Sequence, residues 1–161
     1  MKKLLLFTLV FLTSYSVLPA ADYDNRDALQ PLTETRAVFD INQGDPRILA
    51  LRLKLVKATY DQLIAADVSP HFVLTFRGGA SQFLTVGDSY VEPEELPDKL
   101  RIRELLETLS SLGLPLEQCA IAAELNRIAP EDFIPQVKVV ANGYTSLIAY
   151  QNRGYAYIPM E

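Results

Sequence analysis

The feature that most constrains the fold is a regular alternation of short apolar runs with helical patterns between Arg36 and Ile158. The apolar runs have the length of strands and are bounded by turn-forming residues. We predict strands at residues 37–41, 71–76, 116–122, 137–141 and 155–158. Asn142-Gly143 is followed by a helical pattern, so it does not mark a β-hairpin. Alternation of this kind predicts a three-layer α/β sandwich around a mainly parallel, five-stranded sheet.

Two predicted helices have clear boundary signals. Asp45 and Pro46 fit an N-cap and the first helical position, and the helix they open runs to about Ala65. A second helix carries leucines on one stripe and stops at Gly113. In an open parallel sheet the working surface lies at the carboxyl ends of the strands. That edge is predicted to hold residues 42–44, residues 77–79, the stretch after Cys119, and Asn142-Gly143.

The first residues have the three-part layout of a secretory signal peptide. Two lysines precede an almost continuous apolar run at residues 4–12, and small residues allow cleavage after Ala20 or Ala21. The apolar run is about half as long as a membrane-spanning helix requires. We therefore predict a signal peptide at residues 1–21, a periplasmic or secreted product, and no membrane association after cleavage.

The remaining chain divides into a flexible leader at residues 22–35 and one domain at residues 36–161. Residues 1–21 hold two lysines and no acid, so their removal takes the formal net charge from -5 to -7. Phosphate contacts require clustered Lys or Arg, and the basic residues here are scattered singly. We predict no nucleic-acid partner.

The low number of cysteines and histidines excludes several chemistries. The chain has one cysteine, Cys119, and one histidine, His71. A structural zinc site needs about four such ligands, so no metal site is predicted. The Gly-Asp-Ser sequence at residues 87–89 resembles a serine esterase motif but has no later histidine to act as base. The turn at residues 42–46 lacks the glycines of a dinucleotide site. Together these absences predict that the protein has no cofactor and is neither a hydrolase nor a dinucleotide-dependent oxidoreductase.

Cys119 is the candidate catalytic residue. In an oxidising compartment a lone cysteine is buried, reactive, or paired with another molecule. Free cysteine is among the most buried residue types. At the carboxyl edge of the sheet, however, backbone amides and Arg127 would favour the thiolate, whereas Glu117 and Glu124 would oppose it. These alternatives stay open at this point.

Other reactive or aromatic side chains have simpler interpretations. His71 begins a predicted strand and is expected at the amino end of the sheet, away from the working edge. Tyr144, Tyr150, Tyr155 and Tyr157 cluster near the C-terminus. They could stack on a ligand, but packing in a core or an interface is the favoured interpretation.

Four segments resemble the DsrE/DsrF-like family. They are the Ala-Val-Phe-Asp-Ile-Asn-Gln-Gly-Asp-Pro sequence at residues 37–46, the strand with Cys119, and the C-terminal blocks at residues 132–143 and 151–158. The match extends over residues 36–158. The chain is similar to the exported branch of that family.

The resemblance implies a flavodoxin-like or DsrE-like sandwich and assembly into homo-oligomers, either trimers or hexamers. It also implies that Cys119 carries persulfide sulfur between a donor and an acceptor protein, because such transfer needs one nucleophilic thiolate. Residues 77–79 read Arg-Gly-Gly, which departs from the His-Gly expected there in relatives. The alternative is a non-catalytic oligomeric binding module in which Cys119 is a packing residue.

Overall fold

Residues 23–161, which the computed structural model describes, contain five strands that form one parallel sheet. The strands are β1 Glu34–Ile41, β2 Ser69–Phe76, β3 Leu116–Cys119, β4 Val137–Val140 and β5 Ala156–Met160. Their order across the sheet is β4-β3-β2-β1-β5, and each neighbouring pair is parallel. The predicted parallel sheet is confirmed. The predicted signal peptide at residues 1–21 lies outside the described residues.

The helices alternate with the strands along the chain. They are α1 Arg26–Leu29, α2 Pro46–Ala65, α3 Leu96–Ser111, α4 Ala120–Leu125 and α5 Gly143–Asn152. Short 3-10 helices occupy Gly78–Leu84, Pro93–Glu95 and Pro130–Asp132. The Asp45 carboxylate accepts hydrogen bonds from the backbone N–H groups of Arg47 and Ile48, so the predicted N-cap of α2 is confirmed.

The helices cover both faces of the sheet and make the three layers. The large core cluster joins α2, α3 and α4 to one face and includes Phe39, Leu53 and Leu106. On the other face Val38 and Val73 pack against Leu147 of α5, with Tyr150 and Tyr155 at the margin. Successive strand residues point to opposite faces, which is why Val38 and its neighbour Phe39 belong to different clusters.

The chain adds β1 to β4 in order towards one edge and then returns through α5 to place β5 beside β1. This spatial order of strands differs from that of flavodoxin, so the two folds share the three layers but not the order of strands across the sheet. Because α5 makes the return on the face opposite α2 and α3, its N-terminus is carried over the carboxyl ends of the central strands.

Several predicted boundaries change, and two of the changes concern the site and the expected leader. The third strand was expected to run from residue 116 to residue 122, but β3 ends at Cys119 and α4 begins at Ala120. The Ala-Ile-Ala-Ala-Glu-Leu sequence is rich in strong helix formers, which explains the switch. Within the expected leader at residues 22–35, the structure has α1 and the start of β1 at Glu34. No helix within residues 23–161 is long and apolar enough to cross a bilayer.

Candidate functional site

A row of polar side chains crosses the sheet beneath α5. Asp40 of β1 is in register with Thr75 of β2, and Thr75 is in register with Glu117 of β3. All three are buried. They face α5 because Leu74 and Phe76, the neighbours of Thr75 in β2, belong to the core cluster on the opposite face. The carboxyl half of the sheet therefore places two carboxylates and a hydroxyl under one helix.

The first carboxylate of this row is fully compensated. Arg77, the residue after β2, donates from Nε to Asp40 Oδ1 at 2.7 Å and from Nη2 to Oδ2 at 2.8 Å. The Tyr157 hydroxyl donates to Asp40 Oδ2 at 2.7 Å, and the guanidinium lies 4.9 Å from the Tyr144 ring centroid. These hydrogen bonds to Asp40 raise the pKa of Arg77 and of Tyr157 above their ordinary values. A bidentate pair of this kind is a strong and rigid arrangement.

The second carboxylate of the row is only half satisfied. The Tyr150 hydroxyl of α5 donates to Glu117 Oε1 at 3.0 Å. Burial of Tyr150, together with this hydrogen bond, raises its pKa to about 12, so the phenol remains a donor at neutral pH. Glu117 Oε2 is buried and has no hydrogen-bond partner among residues 23–161.

Cys119 lies two residues beyond Glu117 and on the same face of β3. It is the last residue of the strand and the N-cap position of α4, and it is 4% exposed. A Cβ atom added to Gly143, the first residue of α5, would lie 3.1 Å from Cys119 Cβ and 3.6 Å from Cys119 Sγ. The thiol therefore packs directly against the N-terminus of α5.

The N-terminus of α5 is capped by the residue that precedes it. The Asn142 side chain caps the helix by accepting a hydrogen bond from Tyr144 N at 2.9 Å. Glycine at position 143 lets the helix approach the sheet without a side chain between them. A helix N-terminus favours negative charge on a group placed against it. At Cys119 this effect is opposed by the buried Glu117 carboxylate.

The opposite side of the β3 end is held by amide side chains. Gln118 Nε2 donates to Ser81 Oγ at 2.8 Å and to the carbonyl oxygen of Cys119 at 2.9 Å. Asn126 Nδ2 donates to the carbonyl oxygen of Gly78 at 3.1 Å. These bonds tie the junction of β3 and α4 to the 3-10 helix that follows β2.

The predicted working edge is assembled as expected. A Cβ atom added to Gly79 would lie 2.7 Å from the Cα of Gly44, so the loops after β1 and β2 touch through two glycines. Asn142 and Gly143 adjoin Cys119 at the same edge. Cys119 therefore lies at the predicted edge of the sheet, where it is buried.

The predicted electrostatic partner of Cys119 was wrong. Arg127 lies beyond the far end of α4, is exposed, and has a positive φ of 57°. The basic residue near Cys119 is Arg77. Phe76 pairs with Gln118, so the residues that follow them, Arg77 and Cys119, are neighbours across the end of the sheet. Sequence reasoning placed Arg77 at this edge but missed its pairing with Asp40, although an acid at the end of one predicted strand and an arginine after the next was a usable signal.

The remaining candidates lie elsewhere or have packing roles. His71 is at the amino half of β2, with Nε2 3.6 Å from Glu34 Oε2. Tyr150 and Tyr155 contact edge to face with ring centroids 5.0 Å apart, in agreement with the packing interpretation. Among residues 23–161 there is no cluster of three His, Cys, Asp or Glu side chains with the geometry of a metal site.

Comparison with known protein families identifies the fold. The model of the DsrE/DsrF-like family matches residues 36–160, nearly the whole predicted domain. The chain belongs to the DsrE/DsrF-like family. An uncharacterized protein of Aquifex aeolicus (strain VF5) is 34% identical over 128 residues, which are 77% of this chain and 55% of that protein. The DsrE/DsrF-like chain thus spans about half the length of this relative.

Two solved structures share the fold of this chain. The protein of unknown function MTH1491 from Methanobacterium thermoautotrophicum superposes with a TM-score of 0.62 at 19% identity, covering 78% of this chain and 98% of MTH1491. The ychN protein from E. coli superposes with a TM-score of 0.55 at 16% identity, covering 78% and 98% of the two chains. At these identities the likeness establishes the three-layer fold of this DsrE/DsrF-like protein.

Proposed function

We propose that this protein carries one sulfane sulfur as a persulfide on Cys119. Membership of the DsrE/DsrF-like family supports the proposal, because the resemblance to the sulfur-relay members of that family implies this role for Cys119. The observation that carries it is the packing of the Cys119 thiol against the N-terminus of α5 at the carboxyl edge of the sheet. A helix N-terminus in contact with the thiol favours the anionic sulfur that this chemistry requires.

The reaction is a transfer between sulfur atoms. The Cys119 thiolate attacks the outer sulfur of a donor persulfide, R–S–SH, and a new S–S bond forms on Cys119. The S–S bond of the donor breaks, and its electron pair leaves with the donor thiolate. An acceptor thiolate later attacks the outer sulfur in the same way and releases Cys119 as thiolate. The sulfane sulfur moves without change of oxidation state, so no external oxidant is needed.

The proposal includes a cellular setting and an assembly. Export to the periplasm or outside the cell is supported by the signal-peptide pattern at residues 1–21. A homo-oligomer is supported by the family resemblance and by Ile48, Leu51 and Leu55, which are exposed along one stripe of α2. Light scattering on purified protein should give the mass of a trimer or a hexamer. A monomer at micromolar concentration would contradict this part of the proposal.

The direct test uses intact-protein mass spectrometry. The folded mature protein is incubated with glutathione persulfide, freed of the reagent, and weighed. We expect the wild type to gain the mass of one sulfur atom and to lose it on treatment with dithiothreitol, whereas Cys119→Ser gains nothing. If the wild type gains no sulfur, or Cys119→Ser gains as much as the wild type, the proposal fails.

A second candidate function is a non-catalytic oligomeric binding module. The burial of Cys119, which is 4% exposed, favours this alternative because a packed thiol is the commonest state of a free cysteine. It predicts that Cys119→Ser changes the free energy of unfolding by about 1–2 kcal/mol and leaves partner binding intact. It also predicts that glutathione persulfide leaves the mass of the folded protein unchanged.

A further inference from the structure

Unsatisfied polar atoms are concentrated beside Cys119. Among residues 23–161, four buried side-chain atoms have no hydrogen-bond partner: Thr75 Oγ1, Glu117 Oε2, Gln118 Oε1 and Arg52 Nε. The first three belong to the last residues of β2 and β3, next to the thiol in the sheet. Buried polar groups are nearly always paired in folded proteins, so each such group requires an explanation.

Only one of the three can donate to an anion on the α5 face. Gln118 points to the other face, where it contacts Ser81. Glu117 Oε1 already accepts a hydrogen bond from Tyr150, and a carboxylate has no donor of its own. Thr75 is fully buried, and its hydroxyl can donate. The hydroxyl of Thr75 is therefore the available donor beside Cys119.

The Thr75 side chain shares its surroundings with the thiol. The same point above Gly143, where a Cβ would stand, is 3.2 Å from Thr75 Cγ2, 3.1 Å from Cys119 Cβ and 3.6 Å from Cys119 Sγ. The methyl branch of Thr75 thus packs against Gly143, and the hydroxyl is the other branch of the same Cβ. Asp40 and Glu117 are the two acidic residues in register with Thr75. Asp40 already accepts hydrogen bonds from Arg77 and Tyr157, so Glu117 is the acceptor that competes for the Thr75 hydroxyl.

We propose that the Thr75 hydroxyl donates a hydrogen bond to the outer sulfur of the Cys119 persulfide and so holds the cargo between loading and delivery. This inference rests on the proposed function of Cys119. It also defines the cargo. The transfer leaves a single anionic sulfur on Cys119, while the organic part of the donor leaves as its thiolate.

Two substitutions at one position test the hydrogen bond. Thr75→Val keeps the shape and the methyl contact with Gly143 but removes the hydroxyl, whereas Thr75→Ser keeps the hydroxyl and removes the methyl. Because the Thr75 hydroxyl has no hydrogen-bond partner among residues 23–161, Thr75→Val is expected to fold at least as stably as the wild type. Each protein is loaded with glutathione persulfide, the donor is removed, glutathione is added as the acceptor thiol that takes the outer sulfur, and the persulfidated fraction is followed by intact mass.

The expected result is a loss of retention in one variant only. The half-life of the persulfide should fall roughly tenfold in Thr75→Val, which is the scale for a lost hydrogen bond to a charged group, and stay within about twofold of wild type in Thr75→Ser. Equal retention in Thr75→Val and wild type would overturn the inference and leave the proposed function standing. Equal loss in both variants would also overturn it, because the hydroxyl would then not be the cause. If the wild type takes up no sulfur, both this inference and the proposed function of Cys119 fail.

Discussion

Gly143 packs against Cys119 so closely that a Cβ at position 143 would come within 3.1 Å of the Cys119 Cβ. This distance is tighter than nine in ten real Cβ contacts, so a side chain at position 143 would force the end of β3 or the first turn of α5 to shift by a few tenths of an ångström. The contact couples the geometry of the thiol to the position of a helix N-terminus. Any change that moves α5 outward also changes the surroundings of Cys119.

Gly143→Ala should therefore destabilise the protein. The added methyl meets Cys119 Cβ and Thr75 Cγ2 at 3.1 and 3.2 Å, and overpacking of this kind costs about 1–3 kcal/mol. Urea unfolding followed by circular dichroism measures the effect. Gly87→Ala is the matched control, because a Cβ there has no atom within 4 Å. Equal stability of Gly143→Ala and wild type would show that the contact is not tight.

Arg77→Met should destabilise the fold because it leaves the Asp40 charge buried. Removal of one partner of a fully buried pair costs about 3–5 kcal/mol, and we expect about 2–3 kcal/mol here, since Arg77 keeps 19% side-chain exposure and Tyr157 still donates to Asp40. The measurement is the urea midpoint. Arg47→Met is the control, because its pair with Asp45 is exposed and should leave the midpoint unchanged. Similar losses in both variants would contradict this account.

Tyr150→Phe should remove an alkaline loss of stability. The folded-state pKa of Tyr150 is raised from 10.0 to about 12, so between these values the unfolded chain ionises first and stability falls as pH rises. At neutral pH the substitution leaves Glu117 Oε1 without its donor and costs about 1–2 kcal/mol. Urea midpoints at neutral and alkaline pH test both statements.

The control for that measurement is Tyr23→Phe. The Tyr23 residue is 93% exposed, so its loss should leave the urea midpoint unchanged at neutral pH. If Tyr150→Phe loses stability with rising pH as steeply as the wild type, the assignment of this loss to Tyr150 is contradicted.

The sheet could be predicted from sequence because its determinants are local. Apolar runs of strand length, a 3.6-residue helical period and the Asp45-Pro46 start are readable without knowledge of the fold. The carboxyl edge followed from the alternation, and Cys119 lies at that edge, at the end of β3. Export and oligomeric assembly stay predictions.

The pairing at the site depends on register, which the sequence does not display. The contact between Asp40 and Arg77 spans 37 positions in the chain and exists because β1 and β2 align residue by residue. The predicted end of the third strand was wrong because an apolar run can continue as a strand or begin a helix. Lys99 is a further case: it is 1% exposed, and its ammonium donates to Thr85 Oγ1 at 2.9 Å and to the Gly87 carbonyl. A lysine on a predicted amphipathic helix gives no local sign of such burial.

The most direct test of the central claim is the rate at which the folded protein takes up sulfur at several urea concentrations below its unfolding transition. If Cys119 is loaded in the native state, uptake from glutathione persulfide occurs without urea and its rate is nearly independent of urea. If Cys119 is a packing residue exposed only by unfolding, uptake is absent without urea and rises with the unfolded fraction. The first result is the one that we predict, and the second would contradict the assignment of Cys119 as the sulfur carrier.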